Sequence, residues 1–171
     1  KNGASGAAVR EFFVKAGCDL TAVLRDETHE GQLYRVGLPP WPQAGGSLSA
    51  CPLDEFSEHY SGSRDALERC ALTRARPVAG DADLGRRFMA CSESFVYAAA
   101  AEGAAAAALA SASAHALEEV EWVTKIFQLR HGARQASLRR VGTIAALAAM
   151  GSAGLIDDTV RRELDHAYVF L

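Results

Sequence analysis

Apolar and polar positions alternate with a helical period at both ends of the chain. Over residues 4–25, Val9, Phe12, Phe13, Ala16, Leu20, Val23 and Leu24 recur at spacings of three and four, predicting an amphipathic helix with one broad apolar stripe. Gly17 costs such a helix about 1 kcal/mol relative to alanine, which points to close packing there. The period then changes to two. After Gly31, Tyr34, Val36 and Leu38 fall on one face of a short strand and Leu33, Arg35 and Gly37 on the other. The first face suits a core, and the Arg35 face suits polar surroundings.

Residues 39–52 carry Pro39, Pro40, Pro42 and several Gly and Ser around Trp41 and predict a loop, because proline donates nothing to a sheet ladder. Short helices are predicted over residues 53–60, with Asp54 and Glu55 favoured by the dipole of the first turn, and over residues 64–74. The turn at residues 77–80 leads into a further helix from Asp83. Residues 92–117 are alanine-rich, helical by propensity and poor in surface to bury.

The pattern strengthens again over residues 118–131. Val120, Val123, Ile126, Phe127 and Leu129 are apolar, Glu121 and Lys125 sit one turn apart as a surface pair, and Gly132 suits a helix C-terminus. Further helices are expected over residues 143–150 and from Asp157 or Asp158 to residue 171, with either aspartate suited to cap the last one.

With 171 residues, 49% of them apolar, the chain is long enough for one domain or two small pieces sharing a core. A formal charge of -3 gives no electrostatic reason to expect nucleic acid. Cys18, Cys51, Cys70 and Cys91 are widely separated, without a Cys-x-x-Cys pair, and read as reduced thiols. The alanine-rich run is too weakly apolar and too interrupted to span a membrane, and no signal peptide is visible, so a soluble cytoplasmic protein is expected. Lys1 in place of an initiator methionine, and a final helix that stops at Leu171, suggest a segment of something longer.

Several candidate sites have structural readings beside the functional ones. Asp81 and Asp83 have the spacing of a metal pair, but acids ahead of a helix are commonly caps. Glu119 and Glu121 point about 200° apart around a helix, so at most one of them faces a site. Glu68 with Arg69, and Arg74 with Arg76, suit either a phosphate or a buried ion-pair network. His131 ends a helix, where a cation suits the dipole. Walker and dinucleotide glycine motifs are missing.

Tyr34-Arg35-Val36, Glu68-Arg69 with Ala71-Leu72, Arg74-Ala75-Arg76, Gly80-Asp81, Glu119-Val120-Glu121-Trp122 and Phe127 to Gly132 together resemble the glutamine synthetase adenylyltransferase and adenylyl-removing enzyme family. The order of signatures looks more like its adenylyl-removing half, and the resemblance spans nearly the whole chain. It implies a mostly α protein with a small β element: part of an α+β nucleotidyltransferase domain over residues 1–83, then a helical bundle over residues 84–171. It further implies a bacterial, cytoplasmic enzyme of nitrogen metabolism that uses Mg²⁺ and ATP or ADP. Its expected partners are glutamine synthetase and a nitrogen-signalling regulatory protein, with no nucleic acid and no membrane. By the same resemblance, Arg35, Glu68, Arg69, Arg74, Arg76 and Glu121 lie near the nucleotide.

Three departures from the family pattern concern the chemistry. Gly37 stands where the family carries a catalytic, metal-binding aspartate; the family's Asp-x-Asp pair behind a Gly-Ser turn is expected upstream of the helix that opens this chain. Pro39, Pro40, Trp41 and Pro42 stand in place of arginines with one proline, and residues 111–117 lack the family's lysine and paired glycines. The expectation is a segment inactive by itself. The alternative is a non-catalytic helical remnant or partner-binding scaffold.

Overall fold

Helical periodicity becomes helix along most of the chain in a computed structural model that describes residues 6–29, 31–32, 50–62, 66–98 and 116–170. The contacts divide the chain into two compact units, Lys1–Tyr60 and Ser61–Leu171.

In the first unit, α1 (Gly6–Arg25) follows the expected span. The Thr21 hydroxyl donates to the Gly17 carbonyl one turn back, at 2.8 Å. The apolar stripe is nevertheless not buried: Phe12, Phe13, Leu20 and Val23 are 55–72% exposed. The partly buried positions are Arg10, Val14, Gly17, Thr21 and Leu24, a face rotated from the apolar one. On that face Arg10 pairs with Glu55 of α2 (Leu53–Gly62) at 2.9 Å. Next to this pair, burial pushes the Cys51 thiol up, helped by Glu55 and opposed by Arg10.

After α1 the chain forms a minimal antiparallel pair, β1 (Glu27–Thr28) with β2 (Gly31–Gln32). Gly31 sits at φ +99°, a conformation that only glycine adopts without strain. Residues 33–49 lie outside the described residues, and with them the expected strand beyond Gln32, Arg35, Gly37 and the proline-rich loop.

The second unit contains α3 (Ala66–Leu72), α4 (Ala82–Val96), α5 (Ala116–His131), a 3₁₀ turn at Ala136–Leu138, α6 (Thr143–Ser152) and α7 (Asp158–Phe170). Helix α5 is the hub, packing against α3, α6 and α7. Its Val120 joins Leu138, Ala146, Leu147 and Met150 in a buried cluster, flanked by Phe127, Leu164, Ala167 and Tyr168. The alanines of α6 explain its central place: small side chains let the helices on both sides approach.

Local chemistry sets the boundaries. Asp81 caps α4 by accepting from the Leu84 amide at 2.7 Å, and Asp83 pairs with Arg86, so these aspartates act as helix-end residues. Asp157, rather than Asp158, accepts from the Val160 amide at the start of α7, while Asp158 pairs with Arg161 and Arg162. Helix α6 ends in a Schellman motif: the Leu155 amide donates to the Met150 carbonyl, the Gly154 amide donates to the Gly151 carbonyl, and Gly154 has φ +67°. The alanine-rich stretch is helical as far as Val96 and again from Ala116, and residues 99–115 lie outside the described residues. All four cysteines are free thiols. Among the described residues no helix is long and apolar enough to cross a membrane.

Candidate functional site

The polar groups of the second unit converge where α3 ends, α4 ends and α6 begins. Arg74, two residues beyond α3, donates to the Val141 carbonyl and to the Thr143 hydroxyl at the start of α6. A cation beside a helix N-terminus opposes the helix dipole by about 0.3–1 kcal/mol. Burial also lowers the Arg74 pKa, while Glu121, Tyr168 and Tyr97 support its charge electrostatically. Arg74 is therefore retained by acceptors and by nearby negative charge.

Glu121 on α5 accepts from the Tyr168 hydroxyl of α7 at 3.0 Å and pairs with Lys125 at 3.4 Å, as the one-turn spacing predicted. The ammonium of Lys125 lies 5.7 Å from the Trp122 ring centroid. Glu119 is exposed whereas Glu121 is half-buried, in keeping with their opposite directions on the helix.

A second group surrounds Tyr97. Arg139 lies over its ring at 4.7 Å, pairs with Glu93 at 3.0 Å, and donates to the Gly132 carbonyl at 3.0 Å. Burial is the main reason that the Tyr97 phenol is pushed up to about 12; Glu93 adds to the rise, and Arg139 and Arg74 oppose it. A cavity of about 30 Å³ beside this ring is lined by Thr73, Ser92, Glu93, Tyr97, Arg139 and Val141. It is of single-water size, and the buried Ser92 hydroxyl borders it without a partner among the described residues.

The loop that carries Arg139 is held from α5. Gln128, fully buried, donates from Nε2 to the carbonyls of Leu138 at 2.8 Å and Arg140 at 2.7 Å. Gly132 ends α5 with its amide bonded to the Gln128 carbonyl, and its φ is not positive. The glycine is required by space rather than by a left-handed backbone: a Cβ there would run into the Gln128 carbonyl and would lie 2.6 Å and 2.7 Å from Tyr97 Cδ1 and Cε1. His131, the last residue of α5, has its ring 5.9 Å from that of Phe127.

Five of the six residues expected near a nucleotide lie among the described residues. Arg74 and Glu121 come within electrostatic reach of each other. Arg69 is buried, donates to the Phe95 carbonyl and lies 3.9 Å over the Phe95 ring, and burial lowers its pKa. Glu68 is half-buried on α3, Arg76 is exposed, and Arg35 lies outside the described residues. Arg139, Tyr97, Glu93 and Gln128 were not singled out from the sequence. Tyr97 lies within the alanine-rich stretch and Arg139 lies in a loop, so neither shows a periodic signal. An open groove of about 570 Å³ runs along α4 between Pro77, Gly80, Gly85 and Met89. No group of three or more His, Cys, Asp or Glu side chains among the described residues is placed to hold a metal ion.

Comparison with known proteins accounts for the pattern. Residues 1–91, just over half of the chain, match the family model described as glutamate-ammonia ligase adenylyltransferase. Three bifunctional glutamine synthetase adenylyltransferase/adenylyl-removing enzymes are similar along almost the whole chain. The protein of Xanthobacter autotrophicus is 31% identical over 94% of this chain and 18% of its own length. Those of Xanthomonas campestris pv. campestris and Xanthomonas axonopodis pv. citri are 30% and 32% identical over 99% of this chain and 20% of their own lengths. The chain thus spans about a fifth of the length of these relatives. It belongs to the glutamate-ammonia ligase adenylyltransferase family.

Proposed function

We propose that the chain is a scaffold segment of an enzyme that adds AMP to glutamine synthetase or removes it, in the lineage of the adenylyl-removing half, and that it is inactive by itself. The observation that carries this reading is Gly37. Nucleotidyl transfer of this kind relies on carboxylates that hold metal ions against a phosphate, and a glycine has no side-chain carboxylate for that purpose. The donors present do not fit a Mg²⁺ and ATP or ADP site, so no chemical step is assigned to this segment.

On this reading residues 1–83 are the tail of a nucleotidyltransferase domain and residues 84–171 its helical bundle. The parent enzyme acts in the cytoplasm, with glutamine synthetase and a nitrogen-signalling protein as partners. Arg69, Arg74 and Glu121 serve the scaffold, because Arg69 donates to the Phe95 carbonyl, Arg74 donates to Val141 and Thr143, and Glu121 accepts from Lys125 and Tyr168. The competing reading, a non-catalytic remnant that persists as a partner-binding scaffold, draws support from the joint departures at Gly37, Pro39 to Pro42 and residues 111–117.

One assay tests the inactivity that both readings share, and a second separates them. The 171-residue chain, incubated with adenylylated glutamine synthetase, phosphate and Mg²⁺, is expected to release no ADP; release would sink the inactive reading. Placed in the X. axonopodis relative in exchange for the aligned segment, it is expected to abolish AMP removal and leave AMP transfer as an internal control of folding. Gly37→Asp in that hybrid should restore metal-dependent removal. Retained transfer with no gain from Gly37→Asp would favour the remnant.

A further inference from the structure

Four hydroxyls on the helices of this chain bond back to their own helix. Thr21, Thr124 and Ser152 donate to the carbonyls four residues back, at 2.8 Å, 2.7 Å and 3.0 Å, and Ser94 donates three residues back, at 2.7 Å. Such a bond satisfies a helical hydroxyl locally. Ser92, one turn before the end of α4, departs from this pattern. The residue is 2% exposed, yet its Oγ has no hydrogen-bond partner among the described residues. A buried hydroxyl left in that state carries the cost of its lost hydration, which a ligand in reach would offset.

Ser92 lines the cavity of about 30 Å³ beside Tyr97, and the wall of that cavity is polar. Thr73, the residue after α3, contributes a second buried hydroxyl. Its proton goes to the Cys70 carbonyl at 2.7 Å, so its remaining capacity is that of an acceptor. Glu93 and Arg139 complete the polar part of the wall and pair with each other at 3.0 Å, so the two charges offset one another.

We propose that this cavity is a binding site for one water molecule, which donates to Thr73 Oγ1 and shares a hydrogen bond with Ser92 Oγ. The volume exceeds the about 10–15 Å³ that one water requires and lies far below the about 300 Å³ of a small organic ligand's pocket. An ion is disfavoured because Arg139 repels a cation and Glu93 repels an anion. An apolar occupant is disfavoured because it would leave both hydroxyls unmet, and cavities that stay dry are lined by apolar groups. The water joins the residue after α3 to the last turns of α4, and so adds a polar bridge where these two helices pack.

The test is a high-resolution crystal structure of the 171-residue protein beside those of Ser92→Ala and Ser94→Ala. In the parent, one density peak is expected in the cavity at about 2.5–3.0 Å from both Ser92 Oγ and Thr73 Oγ1. It should fall to half occupancy or less in Ser92→Ala and stay unchanged in Ser94→Ala, whose residue is exposed on the same helix. Oxygen-17 relaxation dispersion reads the site in solution without crystals: Ser92→Ala should lose the contribution of one long-lived water, and Ser94→Ala none. A Ser92 hydroxyl turned back to the carbonyl four residues before it, with no peak in the cavity, would overturn the proposal. So would a peak with the neighbours of an ion, a fully occupied peak in Ser92→Ala, or equal dispersion in the parent and Ser92→Ala.

Discussion

Gly132→Ala sets two effects of opposite sign against each other at one position. The backbone there is not left-handed, so alanine is compatible with it and reduces the freedom of the unfolded chain, a gain of about 0.4–1 kcal/mol. Against this, the new methyl would stand 2.6 Å and 2.7 Å from two carbons of the Tyr97 ring and press on the Gln128 carbonyl. The ring cannot simply swing away, because Arg139 covers it and is itself tied to Glu93 and Gly132. Overpacking of this kind costs about 1–3 kcal/mol, so the clash should win with a net loss of about 1–2 kcal/mol. Urea unfolding in a Trp41→Phe background, where the fluorescence reports Trp122 of α5, measures the difference. A double-mutant cycle with Tyr97→Ala then apportions the cost, since deleting the ring should relieve the ring contacts, a coupling of about 1 kcal/mol or more, and leave the contact with the Gln128 carbonyl. A Gly132→Ala protein as stable as the parent, or costs that simply add, would refute the reasoning.

Gly154→Ala probes the other use of glycine, because no atom lies within 4 Å of its Cβ position but φ is +67°. The expected loss is about 1–2 kcal/mol from backbone conformation alone, read from the same unfolding curves and insensitive to substitutions in neighbouring side chains. Gln128→Leu should cost about 2–4 kcal/mol by leaving the Leu138 and Arg140 carbonyls without their buried donor, and hydrogen exchange should quicken across residues 131–142. Tyr97 has a folded pKa raised from 10.0 to about 12, so its neutral form adds stability that is fully present below pH 10 and is lost as pH rises from 10 to 12. Tyr97→Phe should therefore retain more of its stability over that window than the parent, as followed by circular dichroism; parallel losses would contradict the burial of the phenol.

Most helices could be read from the chain. Their apolar spacing, the capping aspartates, the Glu121–Lys125 pair and the opposite directions of Glu119 and Glu121 are local properties, settled by the 3.6-residue period and by chemistry within one turn. The family was legible for the same reason, because its signatures are short runs in order, and the glycine at position 37 needs no structure to be seen as a residue without a side-chain oxygen.

The candidate site was only half legible. Spacing offered Arg69, Arg74 and Arg76 as equivalent cations, and the fold separates them: one is buried against Phe95, one bridges to the start of α6, and one faces solvent. Tyr97, Gln128 and Arg139 act on partners seven to forty-six residues away, more than one helical turn, so no single-turn pattern registers them. Gly132 suited a helix end by sequence, yet it is the Gln128 carbonyl together with the Tyr97 ring, thirty-five residues away in the chain, that leaves no room for a side chain. The stripe of α1 shows the same division in reverse. Periodicity determined that the helix exists and which face is apolar, and only the tertiary structure decided that the Arg10 and Leu24 face is the one covered. Burial is a property of what a face meets, and residue order along one helix contains no information about that.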